Sequence, residues 1–258
     1  MKVNKIALCT VLVIILSGIL LATTANAATA ADSSEGTLKV TSADGKDVTL
    51  TINGNVEKVR RIGSGMKSGE IVINGNVGMH LGEKMADGKI TVNGNADGWA
   101  GSDMKKGLIE IMGNAGPYLA SPYRGSSVGM RGGKIIVHGN VGTDVAAFMK
   151  GGVIKILGDS GPFLGFRMCN GTVHVEKNAG TRVGACMTGG KIVVSGALEE
   201  VLPTFTIDSV KAKVKIEEGD SASGPFYVFL GDLAENGKGK LFITKTTNPQ
   251  LRQYERFL

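Results

Sequence analysis

The chain has 258 residues, a formal net charge of +6, 39 glycines and only 5% aromatic residues. Setting Lys2 and Lys5 aside leaves +4, and the other Lys and Arg residues are scattered, with no long basic run and no stacked aromatic platform, which argues against nucleic-acid binding. Three cysteines and three histidines without CxxC, HxH or HExxH spacing argue against a metal site.

The N-terminus reads as a targeting segment. Two lysines precede an apolar run from Ile6 to Ala22, and Ala25-Asn26-Ala27 supplies a small-x-small site. This is the layout of a secretory signal peptide over 1–27, with cleavage expected after Ala27 and export as the consequence. An uncleaved membrane anchor is the alternative, because 17 apolar residues approach the lower limit for a span. Cys9 would leave with the signal. Residues 28–47 read as a linker followed by a first strand.

From residue 48 to about 200 the sequence repeats every 19 residues. Aliphatic pairs recur two apart, at Ile71/Ile73, Ile90/Val92, Ile109/Ile111, Ile135/Val137, Ile154/Ile156 and Val173/Val175. β-Branched residues at period two predict a strand with one buried face. A Gly-Asn or Gly-Asp turn follows (Gly75-Asn76 through Gly158-Asp159), where both residue types tolerate positive φ and Asn bonds its own backbone. Each unit then brings a second apolar segment (Leu81, Leu119, Leu164, Val183), a methionine at one phase (Met66, Met85, Met104, Met130, Met149, Met168, Met187) and a closing glycine. A unit this short cannot bury its own face. Stacked coils can, with equivalent residues forming interior ladders. The expected fold is all-β: a right-handed parallel β-helix of about eight 19-residue coils, roughly 35–40 Å long at about 4.8 Å per coil. The methionines are expected to fill a narrow interior rather than bind a metal. Residues 201–258 read as a closing segment and tail.

One unit carries seven extra residues. Its Gly-Gly-Lys at 132–134 is not a phosphate loop: Val128 stands where the first glycine should be and Ile135 where Ser or Thr should be. The insertion concentrates Tyr118, Tyr123, Arg124 and Arg131, types favoured at interface hot spots, and predicts a docking bulge. No catalytic constellation is legible. His80, His138 and His174 fall at three different phases, the aspartates are scattered, and Glu217-Glu218 reads as solvated surface. Cys169 and Cys186 lie on neighbouring coils but out of phase, an awkward offset for a disulfide.

The segment GNAGPYLASPYRGSSVGMRGGKIIVHGNVG, the coils before it and GPFYVFLGDLAENGKGKLFI (224–243) resemble the C subunit of formylmethanofuran dehydrogenase. The glycine-rich GXGXG-type repeat alone is shared with the C-terminal domain of the large glutamate synthase subunit. The corresponding C subunit of the formyltransferase/hydrolase complex of methylotrophic bacteria is a near alternative. The resemblance implies a β-helix scaffold with no catalytic, cofactor or metal residue of its own, in an oxidoreductase complex of methanogenesis that converts CO₂ to formylmethanofuran. Partner subunits would hold a tungsten or molybdenum pterin and iron–sulfur clusters. That family is cytoplasmic, so the signal-like segment implies an exported derivative. The rival expectation is a secreted or envelope-attached structural β-helix that binds a protein or polymer.

Overall fold

The computed structural model describes residues 25–27, 36–43 and 47–258. The expectations for residues 1–24, including Cys9, and for most of the linker fall outside these residues. The described chain is a parallel β-solenoid of about eight turns. The strands are β1 (Ala25–Ala27), β2 (Gly36–Ala43), β3 (Asp47–Asn53), β4 (Glu70–Asn74), β5 (Lys89–Val92), β6 (Leu108–Ile111), β7 (Lys134–Val137), β8 (Lys150–Ile156), β9 (Asn170–Val175), β10 (Lys191–Val194), β11 (Thr206–Glu217), β12 (Asp220–Gly231) and β13 (Gly239–Thr244). They form one sheet in the order β1-β2-β3-β4-β5-β6-β7-β8-β9-β10-β13-β12-β11.

β3 to β10 pair in parallel, and the aliphatic pairs of the repeat stack in register. One ladder is Leu50, Ile71, Ile90, Ile109, Ile135, Ile154, Val173 and Ile192. These side chains are buried, as are the seven methionines at the shared phase, from Met66 to Met187. The closing glycine of each unit accommodates the methionine of the coil before. At Gly133, φ is +83°, and an added Cβ would lie 2.8 Å from Met104 Cε.

The Gly-Asn turns work differently from expectation. Asn76, Asn95, Asn114 and Asn140 are not among the residues with positive φ. Instead each side-chain Oδ1 accepts the backbone N–H of the equivalent residue one coil later. The chain of bonds runs Asn55–Asn76–Asn95–Asn114–Asn140–Asp159–Asn178–Ala197, with N···O distances of 2.7–2.9 Å. An Asp serves at 159 because only the acceptor oxygen is needed. The preceding residue is glycine because coils pack too closely for a side chain: a Cβ at Gly113 would stand 2.4 Å from Asn95 Oδ1.

The C-terminal segment does two jobs. β13 adds to the sheet as a further parallel rung beside β10, while the β11–β12 hairpin folds back over the sheet's outer face. There Val214, Ile216, Phe226 and Val228 pack on Val193, Phe242 and Val153. Lys134 Nζ meets Glu217 Oε1 at 2.5 Å and Lys155 Nζ meets Asp220 Oδ2 at 2.6 Å. Glu217 is therefore a docking residue of the hairpin, not free solvated surface. The tail, a 3-10 helix over Pro249–Phe257, closes the open coil: Leu251 is buried in the core, and Asn248 accepts the Leu198 N–H at 2.8 Å.

Candidate functional site

Four phases of the repeat recur with positive φ, the closing glycine among them, and one in the left-handed region holds side chains rather than glycine: Arg61, His80, Trp99, Tyr118, Asp144, Phe163 and Arg182. That conformation strains a bulky residue. At this corner it turns the backbone while the neighbouring coil supplies a carbonyl partner; the Trp99 N–H, for example, bonds Pro117 O at 3.0 Å. The side chains line up along one edge of the solenoid.

The rings stack. His80 lies 5.5 Å from Trp99 at 15°, and Trp99 lies 4.6 Å from Tyr118 at 13°. Tyr123, from the insertion, stands edge-on to both His80 and Trp99 at 5.2 and 6.0 Å. The absence of a stacked aromatic platform, expected from the sequence, is thus overturned. Further along the same edge, Phe166 packs edge-to-face on Phe148 and Phe163. Arg167 lies over Phe148 and Phe166, and Arg182 lies 5.3 Å over Phe163.

The insertion is anchored where it leaves the coil. Buried Ser121 donates through Oγ to the Asp144 carbonyl and accepts the Ala147 N–H at 2.9 Å. Between the insertion and the following coils lies an open groove of about 240 Å³, whose lining includes Tyr118, Pro122, Tyr123, Asp144, Phe148 and Phe166, together with Trp99 and Arg124.

No family model matches the chain. It is 57% identical over 37 residues to the C subunit of molybdenum-containing formylmethanofuran dehydrogenase 1 from Methanothermobacter marburgensis and from Methanothermobacter wolfeii. That match is 14% of this chain and spans 9% of the length of those relatives. A chain of the formyltransferase/hydrolase complex from Methylorubrum extorquens, solved with methylofuran, superposes with a TM-score of 0.71. It is 30% identical, with 79% of this chain and 80% of that chain covered. The chain belongs to the family of formylmethanofuran dehydrogenase C subunits.

In this family member, the four expected docking residues part company. Tyr123 and Arg124 are exposed on the insertion and border the groove. Tyr118 is not on the bulge; it is a rung of the aromatic ladder. Arg131 lies past the insertion, where its Nε bonds Asp103 Oδ1 at 2.6 Å, and it does not line the groove. Sequence reasoning missed Trp99, His80, Phe148, Phe163 and Phe166. For His80, Trp99 and Phe163 the spacing of 19 or 26 residues between rungs was the available signal, hidden because Arg, His, Trp, Tyr, Asp and Phe share that phase; Phe148 and Phe166 stand at other phases and carried no such signal.

The histidines do sit apart. His80 is buried, and its Nδ1 lies 3.9 Å from Glu83 Oε2. Burial pushes its pKa below the usual value, partly opposed by Glu83 and reinforced by Arg61 and Arg60. His138 Nε2 meets Glu110 Oε1 at 3.0 Å on the sheet's outer face. His174 lies beneath the hairpin, bonded to Ser195 Oγ at 2.9 Å. Cys169 and Cys186 are both free, and burial, aided by Glu235 and Asp232, raises the Cys186 thiol. Among the described residues, no group of three or more metal-binding side chains converges, and no helix is long and apolar enough to cross a membrane.

Proposed function

We propose that the chain is a non-catalytic scaffold subunit of a formylmethanofuran dehydrogenase-like complex, holding partner subunits along its aromatic edge. The observation that carries this reading is the stripe of stacked rings and arginines from His80 to Arg182, topped by Tyr123, which is 49% exposed. Tyr, Trp and Arg concentrate the binding energy of protein interfaces, and here they are held rigid by the coils. The likeness to a chain of a multi-subunit complex supports the same reading. In it, the tungsten or molybdenum pterin and the iron–sulfur clusters belong to partner subunits, and this chain holds no cofactor.

The test is affinity purification through a C-terminal tag from the native host, followed by size-exclusion chromatography. Stoichiometric co-elution of partner subunits is expected. The double variant Tyr123→Ala/Arg124→Glu should release a partner while leaving the unfolding midpoint unchanged. Elution of the wild-type chain alone, or turnover by the isolated chain, would sink the proposal.

The signal-like segment favours a second reading, in which the scaffold is exported and its partners lie outside the cytoplasm or in the envelope. Intact mass of the native protein separates the two. A chain beginning at Ala28 supports export, and one beginning at Met1 supports the cytoplasmic complex if the chain is soluble, or a membrane-anchored scaffold if it is not.

A further inference from the structure

The aromatic ladder is interrupted at one rung. His80, Trp99 and Tyr118 stack face to face, but the next residue at that phase is Asp144, and Phe163 resumes the aromatic series one coil later. A carboxylate cannot continue the stack. The groove opens at this place, and its lining includes Tyr118, Asp144, Phe148 and Phe166.

The Asp144 carboxylate is oriented and incompletely used. Thr143 Oγ1 donates to its Oδ2 at 2.6 Å, and among the described residues no Lys or Arg pairs with it. A flat group with N–H donors and positive charge matches both features. Its face meets aromatic rings and its edge meets the carboxylate. The same edge already shows such a contact internally, since Arg182, the rung after Phe163, lays its guanidinium 5.3 Å over that ring.

We infer that the groove takes the guanidinium of an arginine side chain from the partner polypeptide, seated on Tyr118 and bonded to Asp144, as the rung this chain does not supply. The inference rests on the docking reading above and names the chemistry of its anchor. Arg124 is exposed and forms no ion pair with Asp144, a lining residue of the groove, so that carboxylate is left for the incoming group.

Trp99 is the chain's single tryptophan and lines the groove, so its fluorescence reports binding to the purified chain without any partner. Titration with Nα-acetylarginine amide should give a saturable change. Nα-acetyllysine amide should bind more weakly, and the neutral citrulline analogue should give no saturable change. Asp144→Asn is the informative variant. Asn tolerates the left-handed backbone (φ +57°) and still accepts from Thr143, so folding is preserved. It should weaken the arginine probe by about tenfold, the factor for one charge-assisted hydrogen bond. No saturable response to the arginine probe, or equal responses to arginine and citrulline, would overturn the inference. If the complex assembles but Asp144→Asn leaves its affinity within about twofold, the arginine anchor is wrong and the scaffold stands. Binding of the arginine probe with no complex from the host would support the rung and remove the scaffold reading.

Discussion

The terminal methyl of Met104 occupies the place where a β-carbon on Gly133, one coil later, would have to stand, at 2.8 Å. The same relation links Met66 to Gly88, Met85 to Gly107, Met130 to Gly152, Met149 to Gly171 and Met168 to Gly190. The two most regular features of the repeat are therefore one device. A flexible side chain reaches along the axis and fills the space left by the next coil's glycine.

Gly133→Ala should cost about 2–4 kcal/mol, because the left-handed backbone strains alanine and the methionine and the Gly107 carbonyl must both move. Gly125 has a similar φ of +88° but nothing within 4 Å of an added Cβ. Gly125→Ala should cost only about 1 kcal/mol. Urea unfolding of the two variants separates packing from backbone strain; equal losses would mean that the methionine contact contributes nothing.

Interior and exterior alternate sharply at the next residue. Met104 is fully buried, and Lys105 is exposed. Met104→Asp should abolish cooperative folding, since an unpaired charge in a dry core is strongly disfavoured. Lys105→Asp should change stability by less than about 0.5 kcal/mol. Similar circular dichroism melts for both would contradict the register.

The asparagine ladder makes a graded prediction. Asn95→Ala removes the acceptor of the Asn114 N–H and should cost about 0.5–1.5 kcal/mol, whereas Asn95→Asp should be close to neutral, as Asp159 occupies the equivalent place. At the capped end the stakes are higher. Asn248 is fully buried, bonding Leu198 N–H, Gly196 O and Thr244 O. Asn248→Ala should cost about 2–4 kcal/mol because the buried Leu198 N–H and the Thr244 carbonyl lose this partner, whereas Gly196 O keeps Thr247 Oγ1. Amide hydrogen exchange should show the loss at Leu198 first.

Stability should depend on acidity through His174. Burial under the hairpin, with Lys155 nearby, depresses its pKa from 6.5 to about 4, against a smaller opposing effect of Asp220. The unfolded chain therefore binds the proton more readily than the folded one between those values. The contribution of His174 is complete above pH 6.5 and is lost as pH falls toward about 4, approaching roughly 3 kcal/mol. His174→Gln should flatten the stability profile in that window. An unchanged slope would place the acid sensitivity elsewhere.

The strands, the inward aliphatics, the methionine ladder and the coil count were legible in the sequence, because each depends on a period that recurs through the whole repeat. The turn asparagines were found for an incomplete reason: their identity was visible, but their partner lies a coil away. Glu217 looked like surface because nothing local marks the fold-back of β11 and β12, which is decided by where Lys134 and Lys155 stand on the sheet.

The solenoid follows from the repeat alone, since a 19-residue pattern stacked many times has one economical way to bury its apolar face. The place of the insertion follows from the repeat too. Folding was needed to bring His80, Trp99 and Tyr118 into one stack with Tyr123 edge-on to it, to break that stack at Asp144, and to leave Arg131 outside it. The physical reason is that stacking coils converts a separation of 19 or 26 residues into a single rung, so residues unlike in type and distant in sequence become neighbours along one edge.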